Sequence, residues 1–510
     1  MGERLAAQSQ DHNGKLAAML KKNLTEFSSK ADVRRLSVLV LYSPHALFTS
    51  TVMEHINSFG QYSRNDIYYA TAVDGVDCLY DIERFDVIVI HYSVRLSLEQ
   101  HISPQVAAAV SGARGHRVLF IQDEYEYTER ARRWMEALNI DTVFTCIPDG
   151  QSKKIYPPGR FERVRFVTNL TGYVPERLEK MESYRPLVER PIHVGYRGRP
   201  LPFRFGDLAR DKYMIGHRMR QECRSRGIPH DIEVEEDKRI YGDGWYDFLS
   251  SCRSVLGSES GSNVFDDDGS IGRQIQSALV ENPWLTYEEI RERYLASHES
   301  ALRMNQISPR VFEAAAMKTA LILFEGGYSG LLQPDVHYVS LKKDFSNLEF
   351  VIERLFDVDR LQEMVDRTYR TLISSGRWSY KAFVGHFDEH LNAVLPNAGG
   401  ARTEMSSIPD YNGCYFGGIT RRPMSSDDLR EAPQRIRSRF LKGSSAAEPP
   451  LGSLPAAKGL PWSLEATNSS RTGSFAGRVY RRLPGRMRPI VDKAVRRLRR
   501  LASRMLRPQS

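Results

Sequence analysis

Two sets of short apolar runs, each alternating with helix-patterned stretches, constrain this chain most. LSVLVLYS (36–43), FDVIVIHYS (85–93), HRVLFIQDEY (116–125) and DTVFTCIP (141–148) have strand length and little polar interruption. Helical patterns lie between them over Ser50–Phe59, Leu98–Gly112 and Thr128–Leu138. Strands apolar on both faces and separated by helices predict a parallel sheet covered on both sides. A connector containing Pro and Glu (174–191) follows, and the pattern restarts. IHVGYRG (192–198), HDIEVEE (230–236), SVLGSES (254–260), ALILFEGG (320–327) and HYVSL (337–341) read as strands, with a helix over 207–227 after the first. A helical insertion separates SVLGSES from ALILFEGG, and TYEE places a capping box there between Thr286 and Glu289. Residues 346–394 read as terminal helices. The expected fold is α/β, with two tandem Rossmann-like domains and a ligand cleft between them.

The divisions follow from these patterns. Residues 1–33 form a polar leader, 34–185 the first Rossmann-like domain and 186–394 the second. KGSSAAEPPLGSLPAAKGLP, rich in Gly, Ala, Pro and Ser, predicts a largely disordered linker over 395–475. Residues 476–510 form a basic tail. Within it Val491, Ala494, Val495, Leu498, Leu501, Ala502 and Met505 recur at helical spacing, with Arg496, Arg497, Arg499, Arg500 and Arg504 on the other face. Such an amphipathic helix suits an anionic membrane surface.

Charge is distributed unevenly. Residues 471–510 hold twelve Arg, one Lys and one acid, so the net +9 of the chain conceals −3 over the other 470 residues. The folded part is therefore not a basic nucleic-acid binder, and no specific nucleic-acid partner is expected. No apolar run has the ~20 residues of a membrane helix, and the leader lacks a secretory signal's apolar core. The five cysteines (Cys78, Cys146, Cys223, Cys252, Cys414) form no CxxC or Cys/His cluster, which argues against a zinc site or disulfide framework. The expected location is cytoplasmic, peripheral on the inner face of the membrane.

One stretch points to a ligand. In ISPRVFEAAAMKTALILFEGG (307–327) a single carboxylate, Glu313, interrupts an apolar helix. A buried charge is costly without a partner. Ser308 suits the N-cap and Pro309 the first helical turn, so free N–H groups open beside Arg310, a ready anion site. Glu313, one turn on, is placed to accept from vicinal hydroxyls. Phosphate at the helix start and a diol on the carboxylate together describe a nucleotide.

PRVFEAAAMKTALILFEGGYSGLLQPDVHYVSL resembles the donor-binding segment of GT-B glycosyltransferases, closest to the group-1 and spore-maturation-protein-like families. The resemblance spans about 34–394 and is stronger in the second half. It implies that Glu313 holds the ribose of a nucleotide-sugar. The family's paired Glu falls on Asn305, and Lys318 stands where a Gly is usual. VGYRGRPLPFRFGDLARDK resembles the first strand and loop of the donor domain, which implies diphosphate contacts from Arg197, Arg199 and Lys212. Gly257–Asn263 follow a strand as a small, polar loop, with Glu259 and Asn263 as candidate sugar contacts. Asp266–Asp268 spell DxD, but at the start of an insertion helix capping or a polar turn is expected, and no metal.

In the first domain His91 closes one strand, where a parallel sheet presents ligand-facing residues, and the resemblance implies a His near the transferring sugar there. Asp123 and Glu124 close the next and are candidate general bases on an acceptor hydroxyl. The predicted activity is metal-independent, hexosyltransferase-like transfer from a nucleotide-sugar to a glycan, glycolipid or protein, in surface polysaccharide biosynthesis, with no cofactor beyond the donor. The alternative is a non-catalytic nucleotide- or glycan-binding scaffold, to which Asn305 and Lys318 lend support. A nicotinamide-dependent dehydrogenase is disfavoured: LVLYSPHALFTS follows the first strand in place of GxGxxG.

Overall fold

The computed structural model describes residues 35–396, apart from 47–48, 73–80, 99–100, 182–183 and 300–301, together with 418–425 and 428. The polar leader and the basic tail lie outside the described residues.

The first domain is built on β1 (Ser37–Tyr42), β2 (Asp66–Thr71), β3 (Val87–Ile90), β4 (His116–Ile121), β5 (Thr142–Thr145) and β6 (Arg165–Thr168). They form one sheet in the order β2-β1-β3-β4-β5-β6, and every pairing is parallel. The second domain carries β7 (Ile192–Arg197), β8 (His230–Glu233), β9 (Cys252–Gly257), β10 (Ala320–Phe324) and β11 (Val339–Leu341). These are again all parallel, in the order β11-β10-β9-β7-β8. Two Rossmann-like domains thus stand in tandem, as expected.

Three details differ from the sequence reading. β2 and β6 were not anticipated; both are edge strands, β2 led by Asp66 and aromatic, β6 only partly covered. The helix expected from Leu98 begins at Pro104 instead, because Ser103 caps it and accepts the Val106 N–H at 3.5 Å. The last helix, Tyr380–Val394, falls by sequence in the second domain yet packs into the first. Tyr380, Phe383, Val384, Phe387 and Leu391 share a core with Val38, Phe59 and Phe120. Buried Asp388 ties it down, accepting from Ser63 Oγ at 2.7 Å and from the Arg64 N–H at 2.8 Å.

The chain therefore crosses between domains twice, and the crossings are laced together. The Val174 N–H donates to the Trp378 carbonyl at 2.7 Å, and the Tyr380 N–H donates to the Val174 carbonyl at 3.1 Å. The insertion clasps the first domain as well. The Asp266 N–H donates to the Tyr125 carbonyl at 3.0 Å, and Arg204 reaches Glu126 at 2.6 Å. The predicted capping box is present, the Thr286 N–H donating to Glu289 at 2.8 Å and the Glu289 N–H to Thr286 Oγ1 at 3.2 Å.

Part of the expected disordered linker is ordered. Thr420 pairs with the edge strand β2 through two backbone bonds to Tyr69, of 2.8 and 2.9 Å. Met424 is fully buried, and its N–H donates to Tyr42 Oη at 2.7 Å. Residues 418–425 thus cover an edge that would otherwise offer unpaired backbone groups.

Candidate active site

The helix Pro309–Ala316 begins as its sequence dictates. Ser308 caps it, accepting the Arg310 N–H at 3.4 Å, with Pro309 in the first turn. The helix is amphipathic enough to bury Val311, Phe312, Ala314 and Ala315, and Glu313 goes under with them at 8% exposure. Glu313 is not left unpartnered: Trp245 Nε1 donates to its Oε2 at 2.7 Å. Burial raises its pKa, which the Trp245 hydrogen bond and the Arg310 charge counteract.

Cations gather at this helix start. Arg310 is open to solvent yet hemmed in by protein, and loss of bulk water lowers its pKa, with Arg239 and Arg199 adding to the effect. Lys212, on the helix Gly206–Ser225, is half-buried. Desolvation first, then Arg310 and Arg199, bring its pKa down to about 8, while Asp123 of the first domain opposes them. Arg199 and Arg239 share Glu236, at 3.6 and 2.9 Å. Mutual repulsion among partly desolvated cations is relieved when an anion arrives. Arg199, Lys212, Arg310 and Glu313 thus lie near one another at the helix start that Ser308 caps, with Asp123 near enough to act on Lys212. Arg239 joins them and was missed by the sequence reading.

Asp123 is the candidate base that reaches this space. Its side chain is 49% exposed and lies 3.5 Å from Arg95; Tyr125 Oη donates to it at 2.9 Å.

Five candidates are placed otherwise. His91 is fully buried, hydrogen-bonded to His55 Nδ1 at 3.0 Å and Ser93 Oγ at 2.9 Å. Burial holds both imidazoles below their usual range, His55 down to about 3. Glu124 is also fully buried, accepting from Thr145 Oγ1 at 2.5 Å and from Tyr156 Oη; burial lifts its carboxyl to about 7. Neither meets the cleft. Arg197 is buried, bound to Asp231 at 2.7 Å and stacked on Phe248 at 4.3 Å. It knits β7 to β8 and is not free to hold phosphate. Asn263 Oδ1 is taken by the Met304 N–H at 2.7 Å.

Glu259 turns inward. It accepts the Gly327 and Tyr328 N–H groups at 2.5 and 3.1 Å and Asn305 Nδ2 at 2.9 Å. A Cβ on Gly326 would overlap its carboxyl. Glu259 therefore organises the loop beside the site, and a carboxylate does stand next to Asn305, supplied by another strand.

The DxD segment is structural, as expected. Asp266 accepts the Ile271 and Gly272 N–H groups at 3.3 and 2.9 Å, and Asp268 that of Ser270 at 2.9 Å. Lys318 has φ 48°, the left-handed conformation that favours Gly. Its ammonium lies 5.0 and 4.9 Å from the Tyr184 and Tyr369 ring centroids. Two cation–π contacts of about 0.5–1 kcal/mol each offset the ~1–2 kcal/mol of left-handed strain.

The sequence reading also passed over Trp245, Tyr246, Arg177 and Glu54. Arg177 bridges the domains, 2.7 Å from Glu54 and 2.6 Å from Tyr246 Oη. Only the aromatic pair in YGDGWYD could have drawn attention to this cluster.

No family model and no curated protein matches the sequence. Among solved structures, an alpha-glucosyltransferase in complex with UDP and a DNA containing a HMU base overlays at TM-score 0.44 and 9% identity, over 71% of this chain and all of that one. HepE of Anabaena in complex with UDP-glucose overlays at TM-score 0.40 and 11% identity, over 70% of this chain and all of that one. The sucrose-phosphate synthase of Thermosynechococcus elongatus gives 0.38 and 12%, over 71% and 100%.

Proposed function

We propose that the chain is a glycosyltransferase that takes a sugar from a nucleotide-sugar held on its second domain and gives it to an acceptor entering from the first. The observation that carries this is the convergence of Arg199, Lys212 and Arg310 on the capped start of the helix that bears the buried Glu313. The cations and the helix N–H groups suit a diphosphate, in the bound donor and as the departing leaving group. Glu313 suits the ribose diol. Asp123 is the group placed to take the acceptor's proton. The donor is the sole small-molecule requirement proposed, with no metal. A glycan or lipid-linked acceptor in surface polysaccharide synthesis, on the inner face of the membrane, fits a tail 476–510 that binds anionic lipid.

Turnover and binding both test this. Incubation with labelled nucleotide-sugars should give slow donor hydrolysis. Asp123→Asn should lower turnover with acceptor by about 100- to 1,000-fold while nucleotide affinity holds. Diphosphate affinity should also fall as pH rises through about 8, where Lys212 sheds its proton. Lys212→Met should flatten that alkaline limb and weaken binding about 10- to 100-fold.

A second reading, a non-catalytic nucleotide-binding scaffold, draws on the burial of His91 and Glu124 away from the cleft. It predicts nucleotide binding with no donor turnover at any pH.

A further inference from the structure

Trp245 touches both halves of the donor site. It lies in the first turn of the helix Asp243–Ser251, after Gly242 at φ 61°. Its ring stacks on Phe248 with centroids 5.6 Å apart, which fixes the indole. From there Nε1 reaches Glu313 Oε2 at 2.7 Å. The guanidinium of Arg310 sits 5.3 Å from the ring centroid, within the range of cation–π attraction. Arg310 also donates to the Arg197 carbonyl, so its guanidinium is held from two sides.

Glu313 Oε1 makes no hydrogen bond among the described residues, and it is not sealed from solvent. One oxygen of the carboxylate is therefore anchored and the other offered. We infer that Trp245 is the positioning residue of this site: the indole N–H fixes Glu313, the ring face fixes Arg310, and together they set the spacing between the diol contact and the phosphate contact. This rests on the donor-site reading above.

The Trp245 hydrogen bond leaves a signature that plain packing lacks. The charged and titratable groups facing Glu313 are Arg310 on its own helix, Glu54 from the first domain, Arg177 from the connector and Tyr246 beside Trp245. Among the described residues, Trp245 is the one side chain that hydrogen-bonds the carboxylate. Burial raises the Glu313 pKa and this bond lowers it. An acceptor of hydroxyl protons works best ionised, so on the acid side of the Lys212 limit nucleotide affinity is present above the carboxyl's pKa and fades as pH falls through it. Without the indole donor that pKa climbs, and the fading begins at higher pH.

The test is calorimetric titration of the full chain with UDP, GDP, ADP and CDP, from about pH 5 to 8 so as to span a raised carboxyl. With the nucleotide that binds, Trp245→Phe should bind about 5- to 30-fold more weakly near neutrality, with its acidic limb moved to higher pH. Lys212→Met should weaken binding without moving that limb. Trp245→Tyr, which keeps an aromatic ring over Phe248 and loses the indole donor, serves if the Phe variant does not fold. Unchanged affinity and an unchanged limb, in a protein whose Glu313→Gln variant binds weakly, would overturn the role of Trp245 alone. Wild-type protein that binds none of the four nucleotides would overturn the donor site and this inference together.

Discussion

Glu313→Ala folds as well as the wild type and loses its response to nucleotide. Burial penalises the carboxylate, as its raised pKa records, so removing the charge does not destabilise the empty protein much. The Trp245 N–H loses a partner, which costs about 1–3 kcal/mol in a buried setting, and the relief of a desolvated charge offsets it. The ligand side is one-sided by contrast. Hydrogen bonds to a charged group are worth about 1.5–3 kcal/mol each. A ribose that made one or two of them would bind roughly 10- to 10,000-fold more weakly without the carboxylate. At a nucleotide concentration a hundred times the wild-type Kd, the wild type gains about 2.7 kcal/mol of stability. The variant should gain about 1.4 kcal/mol at most, and almost nothing at the strong end of that range. Thermal unfolding with and without nucleotide reads both numbers.

Removal of everything after residue 396 should destabilise the first domain, although the deleted part reads as linker and tail. The effect comes from residues 418–425. Met424 is fully buried in the same core as Tyr42, Phe59 and Phe387, and truncating a buried Met to Ala costs about 2–5 kcal/mol. Thr420 adds two backbone bonds on β2, and Arg421 lies 3.9 Å from the Tyr68 ring centroid. Met424→Ala alone should lower stability by about 2–4 kcal/mol in denaturant unfolding. The truncation should cost more and leave the β2 edge open to pairing with other chains. A truncated chain as stable and as soluble as the full one would mean that these residues do not hold the edge.

The central strands were legible because a strand buried on both faces reads as an aliphatic run, as VIVI and VLFI do. The edges were not. β2, DIYYAT, is buried but carries Asp66, two tyrosines and Thr71, and β6, RFVT, is only partly covered and ends in polar residues; neither is an unbroken aliphatic run. The helix Tyr380–Val394 was legible as a helix, but an apolar face does not say which of two sheets it covers. Residues 418–425 were hidden because a short anchor such as Met424 leaves little trace in a polar stretch.

The site shows the same divide. The helix cap, Glu313 and Arg310 followed from residue type and position, and Arg199 and Lys212 from the resemblance of VGYRGRPLPFRFGDLARDK to a donor-domain loop. His91 and Glu124 are cases of parity: neighbouring side chains leave a strand end on opposite sides. Asp123 turns out and Glu124 turns in; Tyr92 is half-exposed and His91 is buried. Arg197 and Arg199 lie two apart on β7 and its following loop, yet the strand ends between them, and one is tied to Asp231 while the other is 43% exposed. Sequence alone offers no way to read where the strand stops. Trp245 was invisible for another reason, since its partner Glu313 lies 68 residues away.

If Glu313 and its neighbouring cations hold a nucleoside diphosphate, thermal unfolding of the full chain with UDP, GDP, ADP and CDP will show it. The predicted result is stabilisation by one of them at millimolar concentration or below, lost in Glu313→Ala and reduced in Lys212→Met. A folded wild-type chain that none of the four stabilises would contradict it.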